Sequence, residues 1–337
     1  MKKASISKLI LLLVVALLVP VFLTNEFYLN IAVWIFLYAL LSTSWNILGG
    51  FAGQLSFGHT VFFGIGAFTT TILYSNYGIS PWLNMIPAIL LSVIFTLIVG
   101  IPTFRLKGPF FSLATLAIGQ ILFLLAIYFK DLTGGSVGIV MKFNESYWTM
   151  MFGNTKPYYY IILILFIVSI IISYFIKNSK VGYMLTAIRE DEESAEVIGV
   201  SAFKYKMLAF LISSTLTTLG GVFYAHYNMF VQPATVFSFS MSVSIVVYAI
   251  IGGLGTVWGP FLGCLLIVPI NQYLTSSLGN SLPGISGVIY GVILIIVVLI
   301  EPKGILALFE RRKSIRFNKT GQRRKTDEPS IESGTSN

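Results

Sequence analysis

The sequence predicts an all-α, polytopic membrane protein of about ten transmembrane helices. Three observations carry this. Of the 337 residues 56% are hydrophobic and only 10% are charged, whereas soluble domains carry about 25% charged residues. Apolar runs long enough to approach a hydrocarbon core of roughly 30 Å recur along the chain. All 13 acidic residues fall between those runs and none within them.

In chain order the runs are 9–23, 28–48, 59–76, 82–103, 109–129, 158–176, 207–226, 240–254, 258–277 and 285–300. The first follows Lys2, Lys3 and Lys8 as a secretory signal would, but Val19, Pro20, Val21 and Phe22 stand where a small-residue cleavage site belongs. An uncleaved first span is therefore expected. The run 240–254 is short enough to be re-entrant. With the amino terminus placed in the cytoplasm, 19 of the 22 Lys and Arg lie inside, leaving Lys130, Lys142 and Lys156 outside. The positive-inside rule then puts both termini in the cytoplasm of a multi-pass inner-membrane protein.

Domain organisation follows: a transmembrane unit over 1–310 and a basic, disordered cytoplasmic tail over 311–337. Most of the net charge of +9 lies in that tail. Bases just after a last span anchor topology and touch anionic lipid at about 1 kcal/mol each, so lipid is the expected partner and nucleic acid is not. The single cysteine, Cys264, sits in an apolar run; neither a disulfide framework nor a Cys-based metal site can be built from it. No cofactor or metal is expected.

Against this apolar background the stretch "REDEESAEVIGVSAFKYK", Arg189 to Lys206, stands out. It belongs to the longest internal cytoplasmic loop, 177–204, far longer than a bundle connector of 2–8 residues. Helical spacing puts Met184, Ala187, Ile188, Ala195 and Ile198 on one stripe and Arg189, Glu193 and Glu196 on another. Asp191 interrupts the apolar stripe and suits the N-cap of a second short helix, with Glu192 and Glu193 near its positive end. The expectation is a bent pair of amphipathic helices under the membrane, built to dock a cytosolic partner.

Two glycine clusters fall at predicted cytoplasmic span ends. The segment "GGFAGQLSFGH" holds Gly49, Gly50, Gly53 and Gly58 beside Gln54, Ser56 and His59, and the second cluster is Gly252, Gly253, Gly255 and Gly259. Glycines permit close helix packing, or backbone unwinding that needs polar partners along a solute pathway; both readings stand here. His59 lacks an acidic partner and sits at an expected interface, so no catalytic or proton-relay role is assigned to it. The outside loop 130–157 reads as turns around "TGGSVG" and an interfacial segment in "SYWTMMF".

The run Glu193-Ser194-Ala195-Glu196-Val197-Ile198-Gly199 resembles the EAA signature of ABC importer permeases, with Ser194 in place of the first Ala and no downstream Ile-x-Leu-Pro. The longer runs "GYMLTAIREDEESAEVIGVSAFKYKMLAF", "GGVFYAHY", "IIGGLGTVWGPFLG", "SWNILGGFAGQLSFGHTVFFGIGAF" and "LTGGSVG" are similar to the permeases of branched-chain amino acid ABC importers, over roughly 44–302. That resemblance implies a non-enzymatic translocating subunit whose loop, with Arg189, Glu190, Glu193, Ala195 and Gly199, couples to separate ABC ATPase subunits. It implies a sister permease, forming a heterodimer, and an extracytoplasmic substrate-binding protein, for which the outside loop is a candidate docking surface, with a structural cap over the pore as the alternative. The substrates it implies are Leu, Ile and Val, with urea or short amides as the alternative. The chain holds no Gly-x-x-x-x-Gly-Lys-Ser/Thr run, so ATP would be hydrolysed elsewhere. Five-plus-five inverted repeats suit ten spans. A stand-alone secondary transporter is the rival class; the absence of Asp, Glu, Lys or Arg from every expected span weighs against proton coupling.

Overall fold

A computed structural model describes residues 16–20, 25–278 and the isolated positions 288, 291, 292 and 295. The expected spans 285–300 and most of 9–23, and the tail 311–337, lie outside the described residues. Within them the chain is a helix bundle: α1 (Glu26–Asn46), continued by a π-helical turn (Ile47–Phe51), α2 (His59–Tyr77), α3 (Pro81–Thr103), α4 (Pro109–Tyr128), the short α5 (Lys130–Thr133), α6 (Lys156–Lys177), α7 (Lys180–Glu190), α8 (Glu192–Val197), α9 (Ala202–Asn228), the short α10 (Pro233–Val236), α11 (Phe239–Gly253) and α12 (Gly259–Leu278). Among the described residues six stretches are long and apolar enough to cross a membrane: α1 with its π-turn (Glu26–Phe51), α3, α4, α6, α9, and α10 together with α11 (Pro233–Gly253).

Local chemistry sets the boundaries. Pro81 and Pro109 open α3 and α4 in the first helical turn, where a missing N–H costs nothing. Asn25 caps α1 by accepting from the Phe27 N–H at 2.9 Å. Gly78, at φ 65°, closes α2 in the left-handed region.

Burial sorts the helices into a centre and a rim. The central helix α1 is buried along most of its length and packs against α6, α9, α11 and α12. The longest helix, α9, lies along α2 and α3. At the α2–α9 crossing, a Cβ on Gly66 or Gly221 would overlap the Thr218 or Phe63 carbonyl; only glycine lets the backbones approach so closely. Hydroxyls bind these helices together: Thr60 to Ser242 at 2.9 Å, Thr96 to Ser214 at 2.7 Å, and Thr218 to the Phe62 carbonyl at 3.2 Å. The rim consists of α3 and α4, which expose Leu83, Ile86, Leu90, Ile98, Leu113 and Leu124, the composition expected of a lipid-facing surface.

The two ends differ. At one end, α7 and α8 form a charged hairpin. At the other, β1 (Ile139–Val140) pairs antiparallel with β2 (Phe230–Val231), in register Ile139↔Val231. Nearby, Trp82 donates to the Tyr147 carbonyl at 2.9 Å and Ser80 to the Trp148 carbonyl at 2.6 Å, leaving Tyr147 and Trp148 exposed.

In the glycine segment, 47–51 continues α1 as a π-turn and the backbone is irregular from Ala52 to Gly58. Two expectations are corrected. The span expected over 207–226 begins at Ala202, so Lys206 lies inside a helix, where it is 2% exposed and paired with Glu192. Glu26, Lys156 and Lys177 likewise occupy terminal turns of helices. Ile198 leaves the apolar stripe: α8 ends at Val197, and Ile198 is 75% exposed.

Candidate functional site: a junction of two glycine turns and the charged hairpin

The two glycine clusters, separate in sequence, meet at the hairpin end of the bundle. Asn46, in the last turn of α1, bridges them: its Nδ2 donates to the Thr256 carbonyl at 2.9 Å, and its Oδ1 accepts from the Gly255 N–H at 2.9 Å. A Cβ on Gly50 would overlap both Asn46 Oδ1 and the Gly255 nitrogen. Gly252 faces the Gly259 carbonyl with equally little room. Thr256 finishes the turn by donating to the Gly253 carbonyl at 2.7 Å and accepting from the Gly259 N–H at 3.0 Å. Gly49 lies on the Trp45 ring, and Trp45 Nε1 donates to the Ser56 carbonyl at 2.7 Å.

Two cations from the hairpin side close the junction. Arg189 Nη1 donates to the Gly50 carbonyl at 2.9 Å. Lys177 Nζ donates to the Gly255 carbonyl at 2.8 Å and stands 5.9 Å from the centroid of the Phe51 ring. Both bind carbonyls at the C-terminal ends of helices, α1 with its π-turn and α11, where the helix dipole favours positive charge. Gly53 and Gly255, both at φ +72°, turn away beneath the Arg189 side chain; a side chain there would be strained and would strike the guanidinium stem.

The hairpin itself is firmly built. Asp191 is the N-cap of α8, its carboxylate accepting from the Ser194 N–H at 2.9 Å. Ile188, Ala195, Val200 and Ala202 form a small apolar core beneath it, with Met184 and Ala187 at its edge. Glu192 pairs with the buried Lys206 at 2.5 Å. On the surface Glu193 pairs with Lys107 at 2.8 Å and Glu190 with Arg189 at 2.9 Å. The Glu193 carboxylate raises the Lys107 pKa, first through the hydrogen bond and then by its charge. Gly199, at φ 89°, turns the chain into α9. Val197 and Ile198 are left 87% and 75% exposed, uncovered by the other described residues.

The cap bonds hold the Asp191 pKa below its ordinary 3.8. A lowered folded-state pKa means that the cap's contribution is complete above the unfolded value and is lost as pH falls through the folded one. Protection of the Ser194 amide, measured by hydrogen exchange and corrected for intrinsic rate, is therefore expected to persist at neutral pH and fall on strong acidification. In Asp191→Asn the protection should not titrate, and in Asp191→Ala it should be low throughout.

His59 lies apart from this junction and is buried rather than interfacial. Ser213 donates to the Ser44 carbonyl at 2.6 Å, so its oxygen accepts from His59 Nε2 at 2.7 Å, while His59 Nδ1 faces Ser56 Oγ at 3.2 Å. Ser56 also accepts from the Gly58 N–H at 3.2 Å, and Gly58 lies against the Thr115 carbonyl. Gln54 is half-buried, its N–H donating to the Leu48 carbonyl at 3.3 Å. Thus Gly49, Gly50, Gly53, Gly252, Gly253, Gly255 and Arg189 converge, whereas Ser56, Gly58 and His59 belong to a neighbouring packing network. Sequence reasoning missed Asn46, Lys177 and Thr256. The signal for Asn46 was a carboxamide in the last turn of an apolar run, which must find partners.

The arrangement has no nucleophile and no acid–base pair poised for chemistry. Among the described residues no group of three or more His, Cys, Asp or Glu could hold a metal ion. It is a mechanical junction that ties a charged surface hairpin to the ends of two core helices.

Comparison with known proteins agrees with a transport role. Residues 27–298 match the family described as the permease component of the branched-chain amino acid transport system. The high-affinity branched-chain amino acid transport system permease protein LivM of Escherichia coli (strain K12) is 25% identical over 323 residues, covering 89% of this chain and 74% of that protein. The probable LivM of Methanocaldococcus jannaschii is 23% identical over 320 residues, covering 82% of this chain and 92% of its own. LivH of Escherichia coli (strain K12), named as a permease of the same kind of system, is 25% identical over 293 residues, covering 82% and 93%. No solved structure matches. The family match runs from the start of α1 past the end of α12 and so takes in the whole junction; the chain belongs to the branched-chain amino acid transport system permease family.

Proposed function

We propose that the chain is the translocating subunit of a binding-protein-dependent ABC importer that carries Leu, Ile and Val across the cytoplasmic membrane. ATP is hydrolysed by separate ATPase subunits that dock on the hairpin, a sister permease completes the pathway, and an extracytoplasmic binding protein delivers substrate at the opposite end. In this reading the hairpin end is cytoplasmic, as are both termini; ten spans form two inverted halves, and 311–337 is a basic tail.

One observation carries the coupling role. The hairpin is tied to the core through Arg189 and Glu192, yet presents Val197 and Ile198 to solvent with none of the described residues over them. A docked partner would cover those side chains, and its movement would reach the ends of α1 and α11 through Arg189. Such a push does work only if the helices have two discrete packings.

The test is recovery of the tagged chain from its native membrane in mild detergent. The wild type is expected to bring an ATPase and a second permease. Glu193→Arg, which reverses a surface charge, and Gly199→Trp, which places a side chain at φ 89°, should lose the ATPase and keep the permease. Recovery of the wild type alone, with solute movement in liposomes lacking ATP, would replace this reading with a secondary transporter.

A further inference from the structure

We infer that the solute pathway runs through a cleft between α1, α9, α11 and α12, lined by Trp34, Tyr224, Ser240, Ser244 and Asn271 with Gly291 beside them, and that it takes small net-neutral solutes. This deepens the proposed transport role and rests on it.

The cleft has a volume of about 790 Å³, within the range of small-molecule sites. Its depth follows from helix geometry at about 1.5 Å per residue. Trp34 lies roughly 12 Å from the start of α1, Ser244 about 8 Å from the start of α11, and Asn271 about 10 Å from the end of α12, all counted from the end opposite the hairpin. These polar groups therefore sit within the outer half of the apolar layer, where polar side chains are costly and by default functional.

Its lining differs from the lipid-facing rim. The rim is dominated by Leu and Ile, with Trp82, Phe110, Tyr128 and one amide, Gln120; the cleft combines the hydroxyls of Thr235, Ser238, Ser240 and Ser244 and the Asn271 amide with aromatic rings, and no charged side chain lines it among the described residues. Trp34 is held edge-on to Tyr224 and Tyr227 at 6.1 and 6.3 Å, giving a stiff aromatic wall. Hydroxyl and amide groups can hydrogen-bond a solute's ammonium and carboxylate, and the rings accept an aliphatic side chain. Without a fixed charge in the wall, a solute of net charge meets no counter-ion, which favours zwitterions. Trp34 also borders a second cavity of about 500 Å³, which contains Glu26, Asn30 and Asn228 and sits at the outer end. One side chain thus separates a charged mouth from a neutral interior.

The test uses the lone cysteine. Cys264 is the one cysteine of this chain and is fully buried, so Cys264→Ser supplies a chain without native thiols; it is assembled in proteoliposomes, labelling is read on this chain after the subunits are separated, and uptake is compared with the Cys264→Ser transporter treated in the same way. Ser244→Cys and Ser240→Cys place thiols in the cleft, and Ile94→Cys places one on the lipid-facing rim. The membrane-impermeant reagent MTSET, added from the binding-protein side, reacts with thiolate in water. Both cleft thiols should be modified and the rim thiol should not. Modification should lower uptake of radiolabelled leucine at least tenfold, and leucine should slow the labelling. The inference is overturned if the cleft thiols are inert in the assembled transporter, are shielded there whether or not leucine is present, or are modified without effect on uptake. Leucine uptake by the wild-type transporter tests the substrate reading separately: its absence removes leucine, while MTSET access at Ser244→Cys still decides whether the cleft is a water-filled route.

Discussion

Arg189→Ala is expected to reduce leucine uptake by one to two orders of magnitude while the ATPase still co-purifies. The guanidinium lies a third exposed between the hairpin and the π-turn, donating to the Gly50 carbonyl at 2.9 Å. A hydrogen bond from a charged group is worth about 1.5–3 kcal/mol, roughly ten- to a hundredfold in an equilibrium between two helix packings. Loss of that link leaves the hairpin attached through Glu192 but no longer pulling on the end of α1. ATP hydrolysis should then continue with little transport. The decisive measurement is the ratio of leucine taken up to ATP hydrolysed in proteoliposomes. An unchanged ratio would mean that force does not pass through Gly50. Arg189→Lys should recover little, because an ammonium cannot keep both the Gly50 carbonyl and Glu190 in the planar fork that a guanidinium offers.

Glu192→Gln is expected to destabilise the chain by about 3 kcal/mol. Lys206 is 3% exposed at its side chain and Glu192 is 28% exposed. Removing one partner of a buried pair costs about 3–5 kcal/mol, mainly by stranding the other charge, and the partial exposure of Glu192 places this pair at the low end. The double variant Glu192→Gln, Lys206→Met removes the stranded ammonium and should regain most of the loss in a thermal-unfolding comparison in one detergent. Equal instability of the single and double variants would show that the pair is not the source.

Much of the helix map is legible in the sequence because membrane helices are punctuated by strong local signals. The expected spans 59–76, 82–103 and 109–129 differ from His59–Tyr77, Pro81–Thr103 and Pro109–Tyr128 by a residue at one end; proline at the helix starts and continuous apolar runs set those limits. The N-cap role of Asp191 was readable for a similar reason, since a cap depends on neighbours within four residues. The start of α9 was not. Lys204 and Lys206 looked like loop charges, and only the distant carboxylate of Glu192 makes a buried Lys206 tenable. The junction was hidden more deeply: Asn46 meets Gly255 across 209 residues and Arg189 meets Gly50 across 139. No periodicity records such pairings, and a π-turn leaves no hydrophobic signature distinct from an α-helix.

The lengths of α3 and α11 carry a mechanical consequence for the surrounding bilayer. With 23 residues, α3 is about 35 Å long, whereas the 15 residues of α11 reach only about 22 Å against a hydrocarbon thickness near 30 Å. Lipid beside α3 can meet its full length by a modest tilt. Beside α11 the bilayer must thin locally or meet the rest of the Pro233–Gly253 segment, α10 and the turn that precedes α11. Among the described helices, hydrophobic mismatch is thus concentrated at α11. Covering α11 with protein would relieve the cost, and by more as the membrane thickens.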